Sequence, residues 1–360
     1  MKIGILGTRG IPNVYGGFEQ FAQYLSVGLK QRGHEVFVYN SSDHPYQEGQ
    51  WQGVNIIHCR DWESRLGTAG QFFYDYNCLR DAAKRNFDIL LQLGYTSNSV
   101  WYPIWPKNAR NVVNMDGLEW KRSKYGPMTR KFLMWAETQA ARHGDVLVAD
   151  SLGIRDHIRE RYGREAVFIP YGADIPDTYD PHTLSRWDLT PGEYCMLMAR
   201  MEPENNIEMI IQGWMASDRK LPLVLVGNPG NRFGRYLTAA YRDENLRWVG
   251  AVYDPSAANA LRHYSAFYFH GHSVGGTNPS LLEAMACGCR IAAHDNVFNK
   301  TVLEKDARYF SSAAEVTALL GESAGEAFSA DAVVRNLEKL KARYRWENII
   351  DAYEQLFTRP

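Results

Sequence analysis

The sequence predicts an α/β protein made of two doubly wound, parallel-sheet domains facing across a cleft. Three observations predict it. Short apolar runs of strand length alternate with helical patterns. The alternation stops at a polar, proline-containing stretch and then begins again. The 360 residues are about twice a typical domain of ~100–200 residues.

The elements follow in chain order. Ile3–Leu6 is a short apolar run, followed by a glycine-rich turn and apolar positions at Phe18, Phe21, Leu25 and Leu29, which reads strand, loop, helix. Glu35–Tyr39 is the next strand, and runs at Ile89–Leu91, Val112–Val113, Val146–Ala149 and Ala166–Pro170 continue the series. Pro176, Pro181 and Pro191 mark the linker. Cys195–Ala199 starts the second half, then a helix at Ile207–Trp214 and strands at Leu223–Val226, Leu246–Val249, Ala266–Phe269 and Arg290–Ala293. Runs separated by helices argue for parallel sheets with both faces covered. The expected boundaries are 1–180, 181–343 and a final amphipathic helix, 344–360. In open sheets of this kind ligands bind beyond the carboxyl ends of the strands, so the loops there are where chemistry is sought.

Composition narrows the classes. With 40 Lys+Arg against 41 Asp+Glu and a formal charge of −1, the chain lacks the basic excess of a general nucleic-acid binder. The first residues lack the apolar core of a signal peptide, and no stretch is long and apolar enough for a spanning helix, so a cytoplasmic protein is expected. Five scattered cysteines do not make a disulfide framework. Cys287 and Cys289 are too close for a zinc knuckle, and no cluster of metal ligands stands out.

Three loops can carry chemistry. Gly7-Thr8-Arg9-Gly10, with Gly16 and Gly17 before Glu19, lies between the first strand and helix, where glycines let backbone approach a ligand and the helix N-terminus favours an anion. A dinucleotide site fits poorly: the spacing is G-x-x-G-x-x-G, and the second strand ends at Tyr39-Asn40 with no ribose-binding acid. No P-loop is present either. The second loop, His270 to Asn278, holds Gly275 and Gly276 before a helix opening at Pro279 or Ser280. Its amides form an anion cradle, and Glu283 either reaches a sugar hydroxyl or serves the helix dipole. In the third, Arg200 follows a strand and either takes a phosphate in bidentate fashion or pairs with Glu202 or Glu204 on the surface.

Together these loops resemble the retaining glycosyltransferases of the GT-B architecture, two Rossmann-like domains, of the family-four type. The matching landmarks are Gly16-Gly17 with Glu19, Ile169 to Asp174, Arg200 to Glu204, Val226-Gly227 and Pro279 to Gly288. They span nearly the whole chain in the family's order, and the resemblance implies that the final helix, 344–360, crosses back to the first domain. Gly7-Thr8-Arg9-Gly10-Ile11-Pro12, Glu202 to Ile207 and His272 to Ser280 look more narrowly like the bacterial rhamnosyltransferase branch, which assembles surface polysaccharide.

The resemblance implies a metal-independent transfer with no cofactor beyond the nucleotide-sugar donor itself. Arg200 would bind the diphosphate and Glu283 the ribose. Gly275, Gly276, Thr277 and Asn278 would cradle the donor sugar and phosphate, and the loop through Tyr253 would receive the base. Gly16 and Gly17 would close on the diphosphate from the other domain. Asp116, after the strand at Val112-Val113, stands where the family often places a histidine facing the donor, and reads equally as a helix N-cap. The named catalytic candidates are Asp116, Arg200 and Glu283.

Two positions depart from the family. Its R-x4-K pattern has Asn205 for the lysine, leaving Arg9, Arg232 or a helix N-terminus to compensate, and its E-x7-E pattern has Gly275 for the first acid. The missing acid normally reads hydroxyls of a hexose, so a 6-deoxy donor such as dTDP-rhamnose fits. A UDP- or GDP-hexose transferase, a nucleotide-sugar epimerase of the same architecture or a non-catalytic relative are the alternatives. The basic stretch Lys121-Arg122-Ser123-Lys124 and Arg130-Lys131, mixed with Tyr125, Phe132 and Trp135, reads as a solvated helix face or as a surface for anionic lipid. The latter suits a lipid-linked glycan acceptor and a peripheral position at the inner face of a membrane.

Overall fold

A computed structural model describes residues 1–359 except 15, 116, 123–124, 219–220 and 322–328. The chain divides into two compact units. One holds Met1–Lys121, Tyr125–Gly172 and Trp346–Pro360, the other Arg122–Lys124 and Ala173–Arg345.

The first unit carries an eight-stranded sheet. Its strands are β1 (Lys2–Leu6), β2 (Glu35–Ser41), β3 (Gln50–Trp51), β4 (Val54–Cys59), β5 (Ile89–Leu93), β6 (Arg110–Asn114), β7 (Val146–Ala149) and β8 (Ala166–Phe168). They lie in the order β3-β4-β2-β1-β5-β6-β7-β8. Every pairing is parallel except the β3–β4 hairpin at one edge. Ile3, Ile5, Val36, Val38, Leu90, Leu91, Val112, Val113, Leu147 and Val148 have no exposed surface, as a sheet covered on both faces requires.

The second unit has six strands, β9 (Cys195–Met198), β10 (Leu223–Val226), β11 (Leu246–Gly250), β12 (Phe267–His270), β13 (Ile291–His294) and β14 (Arg308–Phe310). All pair in parallel, in the order β11-β10-β9-β12-β13-β14. Cys195, Leu197, Leu223, Leu225, Phe267 and Phe269 fill its core with the buried face of the Ile207–Met215 helix. The two sheets are the doubly wound α/β architecture expected from the sequence. The apolar pattern does not predict the β3–β4 hairpin or β14. β14 is three residues at a sheet edge, too short for a period of two to show.

The C-terminal helix Trp346–Thr358 belongs to the first unit. Trp346 stacks on Tyr24 with ring centroids 4.5 Å apart, and Phe21 meets Tyr353 edge-on at 5.4 Å. A β-carbon at Gly28 would stand 2.3 Å from Ile350 Cδ1, so the glycine permits this close helix approach. Arg32 pairs with both Asp351 and Glu354. Burying Ile349, Tyr353, Leu356 and Phe357 contributes about 1.5–3 kcal/mol for each side chain.

Candidate functional site

Each sheet has one topological switch point, where successive connections leave in opposite directions and the carboxyl ends of two neighbouring strands open a crevice. In the second unit it lies between β9 and β12, which pair directly although β10 and β11 intervene in sequence. The loops 199–206 and 271–278 therefore emerge side by side.

These two loops are bonded into one floor. Ser273 donates to the carbonyl of Glu204 through its amide, at 3.0 Å, and through its hydroxyl, at 2.8 Å. Asn206, in the left-handed region at φ 49°, donates its side-chain amide to Gly271 O at 2.8 Å. A β-carbon at Gly271 would stand 2.0 Å from the carbonyl oxygen of Asn205, so only glycine admits this approach. His272 O accepts from the side-chain amides of Asn296 and Asn299, each at 3.0 Å.

On this floor Arg200 is exposed and makes no ion pair among the described residues. The surface pairing with Glu202 or Glu204 is not formed; Glu204 is buried, with Arg122 Nη1 3.5 Å from its Oε1. Asn205 is only 6% exposed. Its side chain, expected to face the donor, instead donates to Arg200 O at 2.7 Å and braces the loop. Gly275 has φ +125° with open space where a β-carbon would stand. Gly276 is partly exposed beside it, whereas Thr277 is buried. Asn278 caps the Pro279–Ala286 helix, accepting from Ser280 N at 2.9 Å, with Pro279 in its first turn. The next strand ends place Gly227 against Ala199, and Tyr253, 77% exposed, just after β11.

Glu283 is held from beneath. Arg262, on the Pro255–His263 helix and 3% exposed, bonds to Glu283 Oε2. Burial alone would lower the guanidinium pKa, but the facing Glu283 more than offsets this and keeps Arg262 charged. Under the loop, His270 and His272 stack with centroids 4.4 Å apart. Both ring nitrogens of His270 and Nδ1 of His272 are buried with no partner among the described residues. Burial drives the pKa of His270 well down, and burial with the charges of Arg200 and Arg122 lowers that of His272 to about 3.

The switch point of the first unit lies between β1 and β5. Gly16 is the N-cap and Gly17 the first residue of the helix Gly17–Gln31. Glu19, 4% exposed, accepts from Arg9 N at 2.9 Å and pins the preceding loop. Asn40 is fully buried and bonds both the amide and the carbonyl of Ile11, at 3.0 and 2.8 Å. A β-carbon at Gly10 would stand 2.3 Å from Asn40 Cγ. The position where a dinucleotide fold has its ribose-binding acid is thus occupied by a loop clamp. The Arg9 guanidinium is held by Glu63 through two bonds, at 2.8 and 2.6 Å, so it is not available to replace the missing lysine. Arg232 is exposed at the start of its helix.

Asp116 lies outside the described residues. Nearby in sequence, Trp120 is tied to Glu137, 1% exposed, a residue that the sequence pattern does not single out. Trp120 Nε1 and Tyr162 Oη donate to Glu137 at 2.8 and 2.6 Å, and His157 Nε2 stands 2.8 Å from Oε1. Burial would raise its pKa, but the bonds from His157 and Tyr162 outweigh that and hold it below the usual range. Nothing in its spacing marks it, because its partners, with Tyr95 Oη also donating at 3.2 Å, come from three separate segments.

One face of this unit is apolar and exposed. Met128, Phe132 and Trp135 are 87%, 36% and 45% exposed on the Pro127–His143 helix, with Leu66 and Phe73 at 49% and 43%. Phe132 meets Phe72 at 5.7 Å and Trp135 at 5.9 Å, and Phe73 meets Trp62 at 5.1 Å. Among the described residues no helix is long and apolar enough to cross a membrane. All five cysteines are buried and free.

Residues 1–174 match a family model described as a domain of unknown function (DUF1972). A search of curated proteins found no match. The fold is similar to that of sucrose-phosphate synthase from Thermosynechococcus elongatus, with 16% identity, 99% of this chain and 98% of that one covered, and a TM-score of 0.81. It is similar to Anabaena HepE in complex with UDP, with 15% identity, 99% and 100% coverage and a TM-score of 0.77. WaaG, a glycosyltransferase involved in lipopolysaccharide biosynthesis, matches with 11% identity, 99% and 100% coverage and a TM-score of 0.76. The fold is therefore that of GT-B glycosyltransferase structures, two Rossmann-like domains.

Proposed function

We propose that the protein is a glycosyltransferase whose second unit holds the nucleotide diphosphate of a sugar donor at the β9/β12 switch point. The observation that carries this is Arg200, an exposed guanidinium without an ion pair among the described residues, on a rigid floor beside the capped helix Pro279–Ala286. A guanidinium takes a diphosphate in bidentate fashion, and a helix N-terminus adds about 0.3–1 kcal/mol for an anion. Glu283, one turn into that helix, accepts from the 3′-hydroxyl of the nucleoside sugar, and the open backbone at Gly275 and Gly276 lies against the phosphates and sugar. Fold similarity to HepE, whose structures hold UDP and UDP-glucose, supports a nucleotide-sugar ligand.

The reaction needs no protein nucleophile in this reading. The bond from the sugar's anomeric carbon to the diphosphate breaks, and the acceptor oxygen bonds to that carbon on the same face. The acceptor proton passes to the leaving phosphate. Arg200 and the loop amides offset the charge growing on the leaving group, in a site organised before the reaction. Asp116 is proposed to orient the acceptor hydroxyl.

The donor is proposed to be dTDP-L-rhamnose and the acceptor a lipid-linked glycan. Gly275 in place of an acid that reads hexose hydroxyls is compatible with a 6-deoxy sugar. The exposed face of Met128, Phe132 and Trp135 beside Arg130 and Lys131 supports a position at an anionic membrane surface. A UDP-hexose is the second reading, favoured by the UDP-glucose complex of the similar HepE structure. A thermal-shift panel of dTDP-rhamnose, UDP-glucose and a GDP-hexose separates them, since a ligand at 100 times its Kd adds about 2.7 kcal/mol. A shift with UDP-glucose and none with dTDP-rhamnose overturns the rhamnosyl reading, and no shift with any of them overturns the donor site.

A further inference from the structure

Arg262 is a charge in the interior of the second unit. Its side chain is 4% exposed, and that of Glu283 26%. Nη2 bonds to Glu283 and stands 2.9 Å from Met198 Sδ, Nη1 donates to Asn259 Oδ1 at 3.3 Å, and Nε has no partner among the described residues. Among those residues Glu283 is its only ion-pair partner. A buried guanidinium with an unsatisfied N–H is a costly way to fill a core, and an apolar residue of similar volume often serves stability as well or better. The arginine therefore calls for a reason beyond packing.

Its position supplies one. The Pro255–His263 helix that carries Arg262 begins at Asp254, next to Tyr253 in the loop after β11. Glu283 stands on the Pro279–Ala286 helix that opens the switch-point loop. Met198 ends β9, immediately before the loop that carries Arg200. From a helix that begins at the loop assigned to the base, one guanidinium thus reaches the helix assigned to the ribose and the last residue of the strand that leads into the diphosphate loop. An unanchored glutamate has several rotamers, while a charge-assisted N–H bond from a buried guanidinium holds one carboxylate oxygen in place and leaves the other free to accept.

We infer that Arg262 is a positioning residue that fixes Glu283 as the acceptor for the 3′-hydroxyl of the donor's nucleoside sugar, so that recognition of the nucleoside rests on a charge buried beneath the site. This rests on the reading of Glu283 as a donor contact. The mode of action is indirect: Arg262 touches no ligand.

The test is isothermal titration of dTDP, UDP and GDP, and of the 3′-deoxy analogue of whichever binds best, to wild type and to Arg262→Met, Arg262→Lys and Glu283→Gln. Wild type is expected to prefer the parent nucleotide about tenfold. Arg262→Met should reduce that preference to twofold or less while leaving affinity for the 3′-deoxy analogue within twofold. Arg262→Lys keeps a charge without the planar guanidinium and should recover only part of the preference; it serves in place of Arg262→Met if that variant does not fold. Full preference retained by a folded Arg262 variant, with the preference lost in Glu283→Gln, overturns the positioning role alone. Full preference in Glu283→Gln as well overturns the assignment of Glu283 and this inference with it. If none of the three nucleotides binds, the donor-site reading itself fails.

Discussion

Asn205 donates its side-chain amide to the carbonyl oxygen of Arg200 at 2.7 Å, closing the turn that presents the arginine. The position where related chains are expected to carry a second cation is here a buried brace. Asn205 is 6% exposed, and its own carbonyl faces Gly271.

Asn205→Lys should therefore weaken the protein rather than restore a phosphate contact. The ammonium would leave water for a site shaped to a short amide, and the Arg200 carbonyl would lose its donor, a change costing about 1–3 kcal/mol. Chemical denaturation should show that loss, and titration with nucleotide should show no gain in affinity. A tighter complex would mean that the lysine reaches the ligand.

Gly271→Ala tests the floor without adding charge. The new methyl would stand 2.0 Å from a backbone oxygen, so the two loops must separate. Overpacking of this kind costs about 1–3 kcal/mol. Nucleotide affinity should fall with stability, because Arg200 and the glycine loop are fixed to one another. Unchanged affinity would show that the loops act independently.

The buried histidine pair makes stability depend on pH. In the unfolded chain each histidine titrates near ~6.5. In the fold, burial keeps His270 neutral and holds His272 at about 3. Below pH ~6.5 the unfolded chain takes up protons that the folded one refuses, so this contribution is complete above that pH and is lost on acidification, by up to about 1.4 kcal/mol per pH unit for each histidine. Asp75 in the first unit runs the other way. Burial raises its pKa to about 7, so its contribution is present below its unfolded value and is lost as pH rises through 7. The comparison of wild type with His270→Phe isolates the pair: denaturation at pH 7 and pH 5 should show a smaller acid loss in the variant. Equal losses would mean that His270 is protonated in the fold.

Much of this architecture is legible in the sequence because buried parallel strands leave continuous apolar runs, as at Val146–Ala149 and Leu223–Val226. The linker prolines and the restart at Cys195 mark the two-domain organisation. The site is legible in part. Arg200 follows a strand, Gly275 lies in a loop between a strand and a helix, and Glu283 sits one turn into that helix, places where local pattern shows. Arg262 and Glu137 escape such a reading because their meaning comes from partners distant in sequence. Arg262 lies 21 residues from Glu283, and Glu137 lies 17 and 25 residues from Trp120 and Tyr162. Arg9 looks like a candidate phosphate ligand in the sequence, but Glu63, 54 residues away, holds it. Asn205 stands out in the sequence for the charge it lacks, and its bond to a backbone carbonyl five residues earlier is invisible without the turn.

The donor site stands or falls with Arg200 as the group that holds the diphosphate of a nucleotide sugar. Calorimetric titration of dTDP, UDP and GDP into wild type and a folded Arg200→Ala variant puts this to the test. A lost charge-assisted pair is worth about 1.5–3 kcal/mol, so the nucleotide that binds wild type best should bind the variant at least tenfold more weakly. Equal affinity for the two proteins would remove Arg200 from the diphosphate and the proposed donor site with it.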